Sequence, residues 1–136
     1  MQEFSGRTAV ITGGASGIGL GMARSFAKRG MQLVLADLDE ELLRAAEQEF
    51  LDAGVSVVSQ ICDASKLEDI ERLAEATMDR FGSVHVVCSN AGVGIPTSAL
   101  NFKLSDWEWI INVDLWGPIY AVKTFLPLIE AQGEGH

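Results

Sequence analysis

Short, nearly uninterrupted apolar runs recur along the chain and are rich in residues that β-strands favour. We predict strands over residues 7–12, 32–36, 55–61 and 84–89. The first run stops at Gly13-Gly14 and the last stops at Asn90. Runs without a polar face are typical of parallel strands covered on both faces, so the pattern favours a parallel sheet.

Between these runs the apolar residues recur every three or four positions, which predicts amphipathic helices. The predicted helices cover residues 18–29, 39–53, 65–81 and 105–132. Ser65 and Ser105 are each followed three residues later by a glutamate, which is the spacing of a capping box. A kink or local break is expected at Gly117-Pro118, inside the last helix.

The alternation of strands with helices predicts the fold class. It indicates one α/β domain over residues 1–136, built as a doubly wound parallel sheet with helices on both faces. The crossover connections are expected to be right-handed.

Composition excludes several functional classes. The 19 acidic and 10 basic residues give a net charge of −9, and no basic patch indicates a nucleic-acid partner. No charge-free apolar window reaches the roughly 18 residues of a membrane span, and the first residues lack the features of a secretory signal. Cys62 and Cys88 lie in apolar runs, which predicts buried free thiols, a reducing compartment and a cytoplasmic location. No metal site is predicted.

The loop between the first strand and the first helix carries the clearest chemical signal. Residues 12–19 read TGGASGIG. Gly13 allows the sharp turn out of the strand, Gly17 lets the backbone approach a pyrophosphate, and Gly19 lets the helix pack closely. The free amides at the helix start then favour phosphate. We predict that Gly13, Ser16, Gly17, Ile18 and Gly19 bind a nucleotide; the alternative is a tight turn without a ligand.

An acidic residue follows at the distance expected for a ribose ligand. Asp37 ends the second strand, and its carboxylate would accept hydrogen bonds from both ribose hydroxyls. It would also repel a 2′-phosphate, and Leu38 supplies no positive charge, so NAD is favoured over NADP as the cofactor. The alternative is that Asp37 or Asp39 only caps the next helix.

Taken in order, these motifs resemble one family. The glycine loop, Asp37, Cys62-Asp63, Asn90-Ala91-Gly92 and Asn112 are similar to the classical short-chain dehydrogenase/reductase family over essentially the whole chain. The resemblance implies a Rossmann-like sheet, with strand order 3-2-1-4 in this portion. It also implies an NAD(P)-dependent oxidoreductase that transfers hydride between a nicotinamide cofactor and a secondary alcohol or ketone.

The same resemblance implies roles for residues at the later strand ends. Asp63 would bind the adenine amino group with Ala64 beside it, and the alternative is a turn residue at the end of a strand. The segment Asn90-Ala91-Gly92 would line the coenzyme, while Asn90 could equally serve only to join strands. Asn112 would be the catalytic asparagine, holding a water of the proton relay; the alternative is a buried asparagine that stabilises a helix break.

Part of the family's catalytic machinery is absent from these 136 residues. The family needs a serine and a Tyr-x-x-x-Lys motif downstream, whereas the last serine here is Ser105. The only tyrosine is Tyr120, followed four positions later by Thr124, which predicts a core or interface role. The chain looks cut before the family's fifth strand. We therefore expect an inactive coenzyme-binding half or, alternatively, a non-catalytic nucleotide-binding or interaction fragment.

The same feature predicts self-association. Without a fifth strand the fourth strand would form an apolar, unpaired edge, and the aromatic last helix would lack part of its cover. We expect a homo-oligomer.

Overall fold

The computed structural model describes residues 3–136, and the four predicted strands form one sheet. The strands are β1 (Thr8–Thr12), β2 (Gln32–Asp37), β3 (Val57–Ile61) and β4 (Val86–Ser89). Every strand pair is parallel and the order is β3-β2-β1-β4. The predicted doubly wound, Rossmann-like α/β fold is confirmed, and each strand begins one or two residues later than predicted, except β2.

The helices follow the strands in strict alternation as far as β4. They are α1 (Gly17–Ala27), α2 (Glu40–Asp52), α3 (Leu67–Phe81), a 3-10 turn (Ala99–Asn101), α4 (Leu104–Ile111), a π turn (Asn112–Trp116) and α5 (Gly117–Gln132). Within residues 3–136 no helix is long and apolar enough to cross a bilayer.

Both faces of the sheet are buried, as the uninterrupted apolar runs predict. Ile11 of β1 belongs to a cluster with Phe50 of α2, on the face covered by α1 and α2. Val10, one position earlier, belongs to a second cluster with Leu73 of α3 and Phe125 of α5 on the opposite face. Because successive residues of a strand point to opposite faces, each strand needs apolar residues at nearly every position.

Strand register brings the functional segments to one edge of the sheet. Thr12, at the end of β1, pairs with Ala36 of β2 and Ser89 of β4, and Asp37 pairs with Ile61 of β3. The loops that follow all four strands therefore leave the sheet side by side.

The last helix differs from the prediction. It is interrupted at Asn112–Trp116 by a π turn, in which Gly117 N–H bonds to the carbonyl five residues earlier. The irregularity therefore precedes Gly117-Pro118 instead of falling on it. A β-carbon on Gly117 would lie 3.1 Å from the Ala64 carbonyl oxygen, so glycine permits this helix to approach the end of β3.

Both predicted capping boxes are wrong, because other contacts use the groups involved. Helix α3 begins at Leu67 rather than after Ser65, whose hydroxyl donates to Asp63 Oδ1 at 2.6 Å. Helix α4 begins at Leu104, and Asp106 Oδ2 accepts the Lys103 backbone N–H at 2.8 Å.

The outer edge of β4 is not bare, contrary to the prediction. Val87 N donates to the carbonyl of residue 136 at 2.9 Å, and the N–H of residue 136 donates to the His85 carbonyl at 2.8 Å. These two bonds have the pattern of a parallel bridge. The side chain of Gln132 links the residues before β4 to the last residues: its Oε1 accepts from Val84 N at 3.3 Å, and its Nε2 donates to the Glu134 carbonyl at 2.8 Å.

Candidate nucleotide-binding site

A cleft of about 380 Å³ opens where the loops leave the carboxyl ends of the strands. Every residue that the sequence assigns to coenzyme binding lines it, with the exception of Gly19. Those lining residues are Gly13, Ser16, Gly17, Ile18, Asp37, Leu38, Asp63, Ala64, Asn90, Ala91 and Gly92. Ligands of open α/β sheets bind at this position, outside the carboxyl ends of the strands.

The glycine loop forms the floor of the cleft. Gly13 and Gly17 have φ angles of +64° and +52°, which side-chain-bearing residues rarely adopt. Ser16 precedes α1 without a side-chain cap bond, so the first-turn N–H groups of α1 remain available. Such a helix N-terminus attracts an anion through both its free donors and its dipole. Gly17 has no β-carbon, and no neighbouring atom lies within 4 Å of the position that one would occupy, so a phosphate has room to approach the backbone.

Gly19 does not line the cleft but packs against residues that do. A β-carbon there would overlap the Gly13 carbonyl oxygen and lie 2.8 Å from Asn90 Nδ2. Only glycine allows α1 to pack this closely against the turn that precedes it. Gly19 is therefore a packing position, in agreement with its absence from the cleft lining.

The carboxylate of Asp37 faces the glycine loop across the cleft. Its Oδ2 accepts the Ala15 backbone N–H at 3.1 Å, and its Oδ1 accepts the Asp39 N–H at 3.2 Å. The cap of α2 is a different residue, Asp39, whose Oδ1 accepts from Leu42 N at 3.0 Å. Asp37 forms no ion pair with any lysine or arginine among residues 3–136, so its negative charge is uncompensated at the cleft.

The segment after β4 is tied to β1 by a compact network. Thr12 Oγ1 accepts the N–H groups of Asn90 and Ala91 at 3.0 and 3.1 Å. Asn90 Nδ2 donates to the carbonyls of Thr12 and Gly13 at 3.1 and 3.2 Å. Asn90 thus joins the two strands, as one interpretation of the sequence held, and also lines the cleft. Sequence reasoning assigned no role to Thr12, although a threonine that ends a strand directly before the turn glycine could have indicated one.

The carboxylate of Asp63 is already engaged within its own turn. Oδ1 accepts the backbone N–H of Ser65 at 3.0 Å as well as its hydroxyl, and Oδ2 lies 3.4 Å from Lys66 Nζ. Partial burial raises the pKa of the Asp63 carboxyl, but these donors outweigh burial and hold the pKa below its ordinary value. Asp69 Oδ2 fixes the Asp63 backbone N–H at 2.8 Å. These contacts are those of a turn residue, and Asp63 nevertheless lines the cleft.

Four further residues line the cleft that sequence reasoning did not assign: Cys62, Val93, Trp109 and Val113. Burial, followed by the charges of Asp69 and Asp63, raises the pKa of the Cys62 thiol to about 12. The thiol therefore stays protonated and unreactive near neutral pH. Trp109 and Val113 lie four residues apart. On a helix this spacing places two side chains on the same face, and it could have identified them as neighbours in one site.

The family model described as short chain dehydrogenase matches residues 7–136. The chain belongs to the short-chain dehydrogenase family. One relative, the CLA biosynthesis dehydrogenase/reductase of Lactiplantibacillus plantarum, is 33% identical over 132 residues, which are 97% of this chain and 46% of the relative. The chain spans about half the length of the curated relatives it matches.

Solved structures of the family superpose closely. A short chain dehydrogenase/reductase from Burkholderia phymatum in complex with NAD has a TM-score of 0.95 and 38% identity, with 98% of this chain and 48% of that chain covered. A metagenomic short-chain oxidoreductase in complex with NADP has a TM-score of 0.90 and 35% identity, with 97% and 60% covered.

Within this short-chain dehydrogenase fold, the last predicted site residue lies apart from the others. Asn112 begins the π turn with an exposed side chain and does not line the cleft; its neighbour Val113 does. The alternative of a buried asparagine that stabilises a helix break is wrong, because Asn112 is exposed and the π turn buries Val113 instead. The role of Asn112 as the catalytic asparagine stays a prediction. Tyr120 is half-buried, packs on the core beneath α5 and stacks on Trp116 with centroids 5.7 Å apart.

Among the described residues, no group of three or more His, Cys, Asp or Glu side chains is placed to hold a metal ion.

Proposed function

We propose that this chain is the coenzyme-binding portion of an NAD-dependent oxidoreductase acting on a secondary alcohol or ketone. The observation that carries the proposal is one cleft in which free helix amides and an uncompensated carboxylate face each other. The amides of residues 17–19 suit a diphosphate, and Asp37 suits the hydroxyls of the adjoining ribose. The nicotinamide of such a coenzyme would supply the hydride acceptor or donor.

The preference for NAD over NADP follows from charge. Asp37 already accepts two backbone N–H groups and has no cation beside it, so a 2′-phosphate would meet a bare negative charge at close range. Leu38, the next residue, is exposed and apolar. Relatives of this fold have been solved with NAD and with NADP, and the Asp37 carboxylate favours the former.

The remaining contacts are assigned by position along the cleft. Asp63 and Ala64, at the end of β3, would contact the adenine. Ala91 and Gly92, at the end of β4, would face the middle of the coenzyme, with Asn90 holding that wall against β1. Trp109 and Val113 would add an apolar surface for a flat ring.

We infer that these 136 residues bind coenzyme without turning over substrate. They contain no serine after Ser105 and no Tyr-x-x-x-Lys motif, and a proton donor for the alcohol or ketone is therefore missing from the cleft.

We further propose a homo-oligomer, formed through the exposed apolar surface of the last helices. That surface comprises Trp107, Trp116, Ile119, Val122 and Leu126, all at least two-fifths exposed. Patches of this kind mark interaction sites. The free thiols of Cys62 and Cys88 support a cytoplasmic location, since cysteines stay reduced there.

Isothermal titration calorimetry with NAD⁺ and NADP⁺ tests the coenzyme assignment. We expect the wild-type chain to bind NAD⁺ more tightly than NADP⁺. Asp37→Ala should weaken NAD⁺ binding and bring the dissociation constants of the two coenzymes closer together. Glu41→Ala, which removes an exposed acid from the first turn of α2, is the matched control and should change neither. Tighter binding of NADP⁺ by the wild type would overturn the Asp37 assignment.

Absorbance at 340 nm tests the catalytic inference. We expect no NADH from the purified chain with secondary alcohols. Steady NADH production would show that these residues contain a proton-transfer group of their own.

A further inference from the structure

The helical rod formed by α4, the π turn and α5 contacts two walls of the cleft. Gly117 is buried, and its backbone abuts the Ala64 carbonyl at the end of β3. Val113 points into the cleft itself. A π turn inserts one residue into a helix and re-aims the side chains around it, and such turns occur frequently at functional sites.

The third contact comes from Asp114, in the middle of the π turn. Asp114 Oδ1 accepts the backbone N–H of Val93 at 2.8 Å. Val93 directly follows Gly92 and lines the cleft. A carboxylate acceptor makes this hydrogen bond stronger than one between neutral groups.

The loop that Asp114 holds has little else to fix it. Residues 92–97 form no other hydrogen bond to the rest of the described chain; the remaining one is internal, from Thr97 N to the Ile95 carbonyl at 2.8 Å. Upstream, the wall is fixed at Ala91 by Thr12. Among the described residues, the bond to Asp114 is therefore the one hydrogen bond that ties residues 92–97 to another segment.

We propose that Asp114 is a positioning residue of the coenzyme cleft, which holds Val93 so that residues 91–93 form a preformed wall. The proposal rests on the proposed function, because the wall matters only if a dinucleotide occupies the cleft. Without the carboxylate, binding must order the loop as well as desolvate it, and the affinity falls. Asp114 contacts the loop and not the reacting atoms, so it is not assigned a catalytic role.

Calorimetry with NAD⁺ on three variants tests the proposal. Asp114→Ala should bind about three- to tenfold more weakly, the effect of losing one hydrogen bond of ordinary strength at an exposed position. Asp114→Asn keeps an acceptor at the same place and should bind within about twofold of the wild type. Glu108→Ala removes an exposed acid from α4 that contacts neither the loop nor the cleft, and it should leave the affinity unchanged.

Amide hydrogen exchange, measured without coenzyme, separates positioning from a general loss of structure. The Val93 amide should exchange faster in Asp114→Ala than in the wild type, and at the wild-type rate in Asp114→Asn. The amides of β1 should be equally protected in all the variants. Equal NAD⁺ affinity of Asp114→Ala and wild type overturns the positioning role, as does unchanged exchange at Val93. Failure of the wild type itself to bind NAD⁺ overturns the proposed function instead, and the exchange at Val93 then decides whether Asp114 holds the loop.

Discussion

Two glycines of α1 give a paired test of how the nucleotide loop is built. Gly19 and Gly21 both lie in the first half of the helix, two residues apart. A β-carbon on Gly19 would overlap the Gly13 carbonyl oxygen and approach Asn90 Nδ2, whereas a β-carbon on Gly21 would have no neighbour within 4 Å. The same substitution, glycine to alanine, should therefore act in opposite directions at the two positions.

The magnitudes follow from helix propensity and steric cost. Gly21→Ala should stabilise the chain by about 0.5–1 kcal/mol, because alanine loses less backbone freedom in a helix. Gly19→Ala gains the same amount but must displace a backbone carbonyl and the Asn90 amide, at a cost near the upper end of about 1–3 kcal/mol. We expect a net destabilisation of about 2 kcal/mol, so that the two variants differ by about 3 kcal/mol.

Urea unfolding followed by circular dichroism measures the difference, and calorimetry with NAD⁺ measures its effect on the cleft. Gly19→Ala should also bind NAD⁺ at least tenfold more weakly, since Gly13 and Asn90 both line the cleft, while Gly21→Ala should bind as the wild type does. If Gly19→Ala proves as stable as Gly21→Ala, the close packing of α1 on the glycine turn is not what the structure indicates.

Three further predictions concern single side chains. Burial, then the Arg7 charge, lowers the pKa of His85 despite Glu134 nearby, so the folded chain binds fewer protons than the unfolded chain below about pH 6.5 and loses stability as the pH falls. His85→Asn keeps an acceptor for Thr8 N. In urea titrations it should reduce the loss of unfolding free energy between pH 7.5 and 5.5, and an unchanged dependence of that free energy on pH contradicts this. Cys62, with its raised pKa, should resist iodoacetamide at pH 8 until urea is added, and rapid labelling of the native chain would refute its burial. Asp39→Ala should cost about 1 kcal/mol in thermal unfolding and Asp39→Asn much less; equal losses would exclude a capping role.

The sheet could be predicted from the sequence because its physical determinants are local. Strands buried on both faces, such as that around Val34, must be apolar at almost every position, and this pattern is visible without any tertiary information. The glycine loop and Asp37 were predicted for a similar reason, since each lies directly at a strand end.

Features that depend on contacts between distant segments were not predicted. Gly117-Pro118 predicts an irregularity in the last helix, but not that it takes the form of a π turn ending at Gly117, nor that this part of the helix meets Ala64 and Val93. The turn leaves Asn112 exposed and brings Asp114 to the loop, a contact that the sequence pattern did not indicate. Ser65 was misread for the same reason: its hydroxyl is used by Asp63 rather than by the start of α3.

In the proposed function, the free N–H groups of α1 and the Asp37 carboxylate bind one dinucleotide together. A crystal structure of the chain grown with NAD⁺ tests this most directly. We predict the diphosphate on the N–H groups of residues 17–19 and both hydroxyls of the adenine-side ribose on the Asp37 oxygens. A bound coenzyme whose ribose lies away from Asp37, or a cleft that stays empty at saturating NAD⁺, would contradict it.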